Sequence, residues 1–317
     1  MKKSVSKKAL VFGITGQDGS LLAQELLKKK IKVFGVLTSG RKNFKNLKKL
    51  NVFNKIRLLD CSKTKTKKII LNTKCDYIYF FSGLASVTKS NMYKYLSIQS
   101  NNRILIEILE TVRINNLKKV KIVNASSSEI FGKNKVTNNE NSDINPVSYY
   151  GLAKSISTEI CRSYRKQFGL KVFNAILFNH ESPLRPSDYV LQKVIQVAKK
   201  ISLNKEKKII LGDLDVSRDW GWAPEYIKIL IKLTSLKVSD DFIICTGKNS
   251  KLREIVKYIF AIHNLDYKKY VSSSQKLLRP YEVKKISGSN KKLLSSINYK
   301  PKIKIMSIIN KMVKNEF

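Results

Sequence analysis

The 317-residue sequence predicts an α/β fold: a Rossmann-type doubly wound parallel sheet with a smaller C-terminal α/β substrate lobe. Three observations support this. Short apolar segments alternate with helical ones at a period of about 30 residues, as in βαβ units. The apolar segments are almost continuous, which is typical of strands covered on both faces. A glycine-rich turn also lies between the first strand and the first helix, where dinucleotide-binding units carry it.

The elements follow in chain order. We expect strands at 9–14, 32–37, 56–60, 77–81, 120–125 and 171–178, and helices near 20–29, 101–114 and 150–168. Residues 241–247 predict one more strand of the same sheet. After Phe178 prolines and both tryptophans interrupt the alternation. We therefore expect a cofactor domain of residues 1–182, rejoined by about 222–247, and a substrate lobe of 183–221 and 248–317.

Composition limits the class of protein. The net charge is +39, but the lysines are spread along the whole chain without interleaved aromatic residues, so we expect no nucleic-acid partner. Four scattered cysteines and two histidines predict no metal site. No segment approaches the roughly 20 apolar residues of a membrane span, and the short first apolar run lacks a cleavage site. We expect a cytoplasmic protein without a membrane partner.

The glycine-rich turn is the candidate cofactor site. Its sequence, "GITGQDGS", places Gly13, Gly16 and Gly19 between strand and helix. Glycines permit the tight turn and the close approach of a pyrophosphate, and the helix N-terminus offers its positive end. We assign Gln17 and Asp18 of this turn to the same site.

The ends of the second and third strands bear on the choice of cofactor. The second strand is followed by "TSGRK", which has no acid for a ribose 2′-hydroxyl; Arg41 instead favours the 2′-phosphate of NADP. NAD remains possible. Asp60, which closes the third strand, is expected to hold the adenine, with Cys61 beside it.

Two segments supply catalytic candidates. "YYGLAK" places Tyr150 and Lys154 one helical turn apart, so both side chains point to one side. A free tyrosine has a pKa of about 10, and a neighbouring ammonium with an oxidised nicotinamide would favour the phenolate as a base. "NASSSEIFG" places Glu129 directly after a buried strand, where it is either a surface residue or a proton carrier.

Together the motifs resemble the GDP-mannose 4,6-dehydratase family of extended short-chain dehydrogenases/reductases. The segments "GITGQDGSLLA", "SSSEIFG", "YYGLAK", "ILFNHESP", "LGDLDVSRDWGWAPEYI" and "LRPYEV" follow the family's order and cover nearly the whole chain. The resemblance implies an NADP-dependent lyase that converts GDP-mannose to GDP-4-keto-6-deoxymannose by internal hydride transfer and loss of water. It also implies a homodimer or homotetramer.

The resemblance implies a role for each catalytic residue. Tyr150 accepts the proton of sugar O4, Ser127 hydrogen-bonds O4, and Lys154 holds the nicotinamide ribose. Glu129 removes the C5 proton that the 4-keto group has made acidic. Further substrate contacts are implied for the sugar and diphosphate (Asn179, Glu181), the phosphates (Lys193, Arg218, Arg279) and the nucleotide ribose (Glu282).

Some segments depart from the family pattern and leave alternatives open. These are 38–42, 80–86 and 182–186, which concern the cofactor preference and the sugar pocket. The alternatives are a related nucleotide-sugar epimerase or reductase, a dehydratase for a different nucleotide hexose, and a non-catalytic nucleotide-binding scaffold. Glu129 argues against an epimerase, and the complete set of Tyr150, Lys154 and Glu129 argues against a scaffold.

Overall fold

The computed structural model describes residues 6–38, 43–62, 64–134, 136–277 and 282–317. Its strands are β1 (Lys8–Phe12), β2 (Lys32–Leu37), β3 (Arg57–Asp60), β4 (Tyr77–Phe80), β5 (Lys121–Ser127), β6 (Thr137–Asn138), β7 (Lys171–Leu177), β8 (Asn179–Glu181), β9 (Ile209–Leu211), β10 (Ser217–Trp222), β11 (Asp241–Ile244), β12 (Asn249–Lys251), β13 (Val271–Ser273) and β14 (Ser287–Gly288). Its α-helices are α1 (Gln17–Lys28), α2 (Lys45–Lys49), α3 (Thr66–Thr73), α4 (Val87–Met92), α5 (Lys94–Ile114), α6 (Tyr149–Phe168), α7 (Val190–Ser202), α8 (Ala223–Leu233), α9 (Leu252–Ile262), α10 (Tyr267–Tyr270), α11 (Lys291–Ile297) and α12 (Ile305–Lys314).

A seven-stranded parallel sheet organises the first part of the chain. Its order is β3-β2-β1-β4-β5-β7-β11. Alternate residues of β1 enter different cores: Ala9 and Val11 pack with residues of α1 and α8, whereas Leu10 and Phe12 pack with α3 and α5. Helices therefore cover both faces, and the doubly wound fold predicted from the continuous apolar strands is confirmed.

The strand order creates a crevice at one edge of the sheet. The chain runs outward from β1 to β3 and then crosses to β4 on the other side of β1. In open parallel sheets such a reversal leaves a gap between the carboxyl ends of the neighbouring strands, and ligands bind there. The glycine turn after β1 and the serines that end β5 both lie at this edge.

A second core builds the smaller lobe. Helices α7, α9 and α12 enclose a cluster that includes Trp220 and Trp222 of β10. β10 pairs with β8 in parallel, with Trp220 opposite Asn179, and with β12 in the antiparallel direction. The chain then returns to the main sheet, because α8 packs in the same core as α1 and β11 pairs with β7. The division of the chain at residues 182–183 stays a prediction.

Element boundaries differ from the expected ones in three places that matter here. β1 ends at Phe12 because Gly13 has a φ of +80° and turns the chain. β5 continues to Ser127, since Ser126 and Ser127 pair with Ile176 and Leu177 of β7. α5 begins at Lys94, seven residues before the expected position.

Across the described ranges, no helix combines the length and the apolar character that crossing a membrane would require.

Candidate active site

The catalytic candidates come from two adjacent elements. Ser127 ends β5, one turn of 3₁₀ helix (Ser128–Ile130) carries Glu129, and the first turns of α6 carry Tyr150 and Lys154. Gly151 lets α6 lie directly on the 3₁₀ turn, since a Cβ at this position would be 2.6 Å from the Glu129 carbonyl oxygen. The structure thus brings together the four residues that the sequence assigned to catalysis.

The environment of the Tyr150 phenol opposes its ionisation. Burial is the largest influence and raises its pKa, and the neighbouring Tyr189 and Glu129 raise it further. Interactions with the Ser127 hydroxyl and the Arg185 guanidinium lower it, but the net shift is upward. The protein alone therefore raises the pKa of Tyr150, whereas the sequence predicted a lowered pKa. Formation of the phenolate needs positive charge nearby.

Lys154 is a buried ammonium at the back of the site. Its Nζ donates to the Ala125 carbonyl oxygen at 2.8 Å and lies 6.0 Å from the centroid of the Tyr150 ring. Burial lowers its pKa to about 8, although Asp18 and Cys161 oppose the shift. Lys154 is therefore mostly charged at neutral pH and loses its charge in mildly alkaline solution.

Glu129 offers a carboxylate that no ion pair occupies within the described part of the chain. The residue is half-buried, and its backbone N–H donates to Ser127 Oγ at 3.3 Å. Its carboxylate is electrostatically coupled to Tyr150. A carboxylate and a phenol thus form two acid/base groups on one site, with a hydroxyl and an ammonium beside them.

The glycine turn has the geometry that a dinucleotide needs. A Cβ at Gly19 would be 2.4 Å from the Gly13 carbonyl oxygen, and one at Gly13 would be 3.0 Å from the Phe81 carbonyl carbon. Gly16 directly precedes α1, whose first backbone N–H groups have no partner inside the helix. These residues fit a bound pyrophosphate.

The side chains of Gln17 and Asp18 make contacts inside the protein. Gln17 Nε2 donates to Asp18 Oδ1 (3.1 Å) and to the His180 carbonyl (3.3 Å), and Gln17 Oε1 accepts from Ser182 Oγ (2.7 Å). Asp18 pairs with His180 Nε2 at 3.0 Å. The two side chains therefore attach the glycine turn to β8 and to Ser182 beside it, and their cofactor contacts stay a prediction.

His180 is held as an imidazolium. Its Nδ1 lies 2.7 Å from the Phe178 carbonyl oxygen and its Nε2 faces the Asp18 carboxylate, so both nitrogens must donate. Burial lowers the pKa of His180, but Asp18 reverses this effect and the net shift is upward. Burial would raise the pKa of Asp18, yet His180 and Arg185 lower it to about 2.

Sequence reasoning missed Arg185 and Tyr189. The Arg185 guanidinium lies 3.8 Å above the Tyr189 ring, and its Nε is 3.6 Å from Glu181 Oε2. The Tyr189 hydroxyl donates to the Ala85 carbonyl at 3.2 Å. The spacing of four residues from Glu181 to Arg185 and from Arg185 to Tyr189 was the available signal, but it identifies no role without the tertiary structure.

The residues expected to bind substrate fall into two groups. Half-buried Asn179 and buried Glu181 lie on β8 next to the catalytic cluster, and burial raises the pKa of Glu181. In the smaller lobe, Arg218 Nη2 donates to Glu282 Oε1 at 2.9 Å, so two residues expected to bind different parts of the nucleotide lie together. Exposed Lys193 donates to the Ile210 carbonyl at 3.5 Å.

The remaining cofactor candidates lie at the end of β3 or outside the described residues. Asp60 accepts from the Ser62 backbone N–H at 2.9 Å and from the Ser62 hydroxyl at 2.6 Å. Cys61 is half-buried, and burial raises the pKa of its thiol. Arg41 and Arg279, assigned to NADP and to the pyrophosphate, lie outside the described residues.

Comparison with known families identifies the relatives of this site. The family model described as GDP-mannose 4,6 dehydratase matches residues 10–312. The chain belongs to the GDP-mannose 4,6-dehydratase family. GDP-mannose 4,6 dehydratase 1 of Arabidopsis thaliana is 30% identical, over 97% of this chain and 89% of the relative. The Homo sapiens GDP-mannose 4,6 dehydratase is 30% identical, over 96% of this chain and 90% of the relative.

Solved structures of related enzymes share the fold. UDP-N-acetylglucosamine 4-epimerase from Methanobrevibacter ruminantium has a TM-score of 0.85 and 24% identity, covering 98% of each chain. The dTDP-glucose 4,6-dehydratase of Bacillus anthracis, in complex with NAD, has a TM-score of 0.84 and 17% identity, covering 98% of this chain and 96% of that one. The resemblance to the GDP-mannose 4,6-dehydratase family that the motifs predicted is confirmed.

Proposed function

We propose that the protein converts GDP-mannose to GDP-4-keto-6-deoxymannose. The observation that carries this proposal is the Glu129 carboxylate, which is free of ion pairs among the described residues and coupled to Tyr150. An epimerase needs to move a hydride and a proton at one carbon. A 4,6-dehydratase must also remove the C5 proton and release the C6 hydroxyl, and a second acid/base group is required for that step.

The chain's residues divide the proton transfers between them. Tyr150 takes the proton from sugar O4 while Ser127 hydrogen-bonds the same oxygen. The 4-keto group then acidifies C5, Glu129 accepts the C5 proton, and this proton leaves with the C6 hydroxyl as water. One proton leaves O4 at the start, and one proton is added to C5 at the end. The hexose therefore gains no net charge and undergoes no net oxidation.

We further propose NADP as the cofactor, with NAD as the alternative. Once bound, such a dinucleotide would supply the hydride chemistry that links C4 and C6 of the hexose. Gly13, Gly16 and Gly19 would hold the pyrophosphate, Asp60 with Cys61 the adenine, and Lys154 the nicotinamide ribose. The lack of an acid after β2, together with Arg41, supports the phosphorylated form.

A dehydratase for a different nucleotide hexose is the second candidate. Segments 80–86 and 182–186 depart from the family pattern. Two contacts join the chain in and after the first segment to the chain just after the second. The Tyr189 hydroxyl donates to the Ala85 carbonyl, and Lys89 of α4 pairs with Asp188 at 2.7 Å. Two altered segments on one side of the catalytic cluster would change the fit of the hexose before they changed the chemistry.

A panel of substrates tests these proposals. Purified protein is incubated separately with GDP-mannose, UDP-glucose or dTDP-glucose. Each incubation contains a catalytic amount of NADP+ or NAD+, and mass spectrometry measures the masses of the products. We expect loss of one water from GDP-mannose with NADP+. Water loss from another hexose alone would select the second candidate, and an isomeric product of unchanged mass would indicate an epimerase.

Assembly and location complete the proposal. We propose a cytoplasmic homodimer or homotetramer that acts on a small nucleotide sugar and binds neither nucleic acid nor membrane. The family resemblance supports the assembly, and exposed apolar side chains on α5, namely Tyr95, Leu96, Ile106 and Ile114, offer a surface for it. Light scattering with size-exclusion chromatography would measure the assembly directly.

A further inference from the structure

The segment that follows β8, residues 182–189, is attached to the face of the sheet that α1 covers. Leu184 is buried in the same core as residues of α1 and α8. The Ser182 hydroxyl donates to Gln17 Oε1 at 2.7 Å, which joins the segment to the cofactor turn. Further along, the Arg185 guanidinium stacks on the Tyr189 ring at 3.8 Å, and this contact holds the far end of the segment.

Helix α4 is attached to the opposite face. Residues of α5 and α6 pack in a different core from those of α1, on the other side of the sheet. Asn91 Oδ1 of α4 accepts from the Tyr149 backbone N–H at 3.2 Å. Ser86 caps α4, because its side chain accepts from the Lys89 backbone N–H at 3.3 Å. α4 is therefore joined to the turn of α6 that carries Tyr150.

Two contacts join the segment after β8 to α4 and the residues just before it. The Tyr189 hydroxyl donates to the Ala85 carbonyl oxygen at 3.2 Å, and Lys89 Nζ lies 2.7 Å from Asp188 Oδ2. Because the two segments are anchored on opposite faces of the sheet, the contacts between them cross its carboxyl edge. The glycine turn and the catalytic cluster lie at this edge, one beside each anchor.

The crossing contacts are weaker than the anchors. The side chains of Lys89 and Asp188 are 54% and 47% exposed, and an exposed ion pair changes an equilibrium by no more than about fivefold. A neutral hydrogen bond such as that of Tyr189 contributes at most about tenfold. Ser182 and Leu184, by contrast, are buried. The two segments can thus separate while each keeps its place on its own face.

We propose that Ala85 and Lys89 on one side and Asp188 and Tyr189 on the other form a gate over the sugar end of the crevice, closed in this structure, that opens to admit the nucleotide sugar. The inference rests on the proposed function, which places the hexose beside Tyr150. Closure behind the substrate would exclude bulk water from the proton transfers, as lids do in other enzymes. Because the crossing contacts are weak, opening needs no rearrangement of either core.

A reversible cross-link tests whether the gate must open. Lys89→Cys/Asp188→Cys is loaded with NADP+ and treated with a short bifunctional methanethiosulfonate reagent, which joins the two thiols and is removed by reduction. With each nucleotide hexose that the protein turns over, we expect kcat/KM to fall at least about tenfold on cross-linking and to recover on reduction. Full activity in the cross-linked protein, with the bridge confirmed by mass spectrometry, would overturn the proposal.

Lys89→Cys alone is the matched control. The same reagent then attaches to one side of the gate without bridging it, and any reaction of the half-buried Cys61 thiol occurs equally in both proteins. Its activity should stay within about twofold of the untreated variant, because only an exposed ion pair is lost. A loss as large as that of the cross-linked protein would contradict gating as its cause.

Labelling of a buried thiol tests the gate without turnover. Tyr150→Cys places a thiol beneath the proposed gate, and mass spectrometry follows its reaction with N-ethylmaleimide in NADP+-loaded protein. Adding Lys89→Gln and Tyr189→Phe removes both crossing contacts but keeps the ring that stacks on Arg185. The labelling rate should then rise at least about fivefold.

Arg103→Gln is the control for the labelling experiment. It breaks an exposed ion pair within α5 and should leave the labelling rate of the Tyr150→Cys protein unchanged. Equal rates with and without the two crossing contacts would overturn the gate. If no hexose of the panel loses water, the proposed function fails, and the labelling rates still decide whether the gate exists.

Discussion

Glu129 and Tyr150, the two proton acceptors that we propose, share one site but come from different elements. The first is half-buried on a 3₁₀ turn and the second lies in the first turn of α6. Burial, with a smaller contribution from Glu129, raises the pKa of Tyr150, so formation of the phenolate needs compensating positive charge. The Lys154 ammonium, 6.0 Å from the centroid of the Tyr150 ring, is placed to supply it.

The sequence pointed to the members of the candidate catalytic cluster, whose roles stay predictions, but not to their environment. Tyr150, Lys154 and Glu129 follow from local patterns, a helical spacing and the end of a buried strand. Arg185 and Tyr189, which stack on each other, lie about 35 residues or more further along the chain, and no local pattern links them to Tyr150. For Gln17 and Asp18 the position was predicted, but the side chains bind His180 and Ser182, which depends on how β8 packs.

The Asp18–His180 pair predicts a pH-dependent contribution to stability. Asp18 has a lowered pKa of about 2, so its contribution is present above the unfolded value of about 3.9 and is lost as pH falls toward 2. His180 has a raised pKa, so its contribution is full below about 6.5 and is lost as pH rises through the folded value. The pair therefore stabilises most between about pH 4 and 6.5.

Asp18→Asn measures this contribution. We expect the free energy of unfolding to fall by about 3 kcal/mol at pH 5.5, because a buried imidazolium loses its partner, and by less at about pH 9. Urea unfolding at both pH values measures the difference. The exposed ion pair of Asp188 with Lys89 is the control, and Asp188→Asn should cost under about 1 kcal/mol at either pH. An equal loss for Asp18→Asn at both pH values would contradict the assignment of His180 as an imidazolium.

At the scale of elements, β5 and α6 determine the shape of the site. The sequence predicted both, because "VKIV" is mostly apolar and "YYGLAKSISTEI" has a helical apolar spacing. The extension of β5 through Ser126 and Ser127 was not predicted. Hydroxyl residues carry no strand signal of their own, and pairing with β7 is what holds them in the sheet.

Gly151 should be essential for the contact between α6 and the Glu129 turn. A Cβ there would be 2.6 Å from the Glu129 carbonyl oxygen, so Gly151→Ala must displace one element from the other. We expect a loss of about 1–3 kcal/mol in unfolding free energy and a fall in kcat of at least about tenfold. Unfolding curves and initial rates measure the two effects.

Gly169→Asn is the matched control for this change. Gly169 ends α6 with a φ of +64°, a Cβ there meets nothing within 4 Å, and asparagine tolerates this conformation. Its kcat should stay at the wild-type value. If Gly151→Ala were as active as the control, the close packing of α6 on the Glu129 turn would not position the catalytic groups.

At the scale of the whole molecule, the sheet order and the charge serve the same site. The reversal of strand order beside β1 makes the crevice, and the sequence predicted it through the βαβ alternation and the glycine turn. How the second lobe joins the sheet was only roughly predictable, because β8 and β10 are short and pair across about 40 residues. Pairing of such distant segments has no local sequence signal.

The net charge of +39 should assist the arrival of an anionic nucleotide sugar. We expect kcat/KM for GDP-mannose to fall several-fold between about 0.01 and 0.15 M salt, as the Debye length shortens from about 30 to 8 Å. The value of kcat at saturating substrate serves as the control and should change little. A kcat/KM independent of salt would show that the lysines do not steer the substrate.

The most direct test of the dehydratase assignment is Glu129→Gln with GDP-mannose and stoichiometric NADP+. We expect absorbance of reduced cofactor to appear, because Tyr150 can still take the O4 proton while C4 is oxidised by the added NADP+, whereas mass spectrometry shows no loss of water. Glu159→Gln, a change of an exposed acid on α6, should behave as the wild type. Water loss at the wild-type rate in Glu129→Gln would contradict the account.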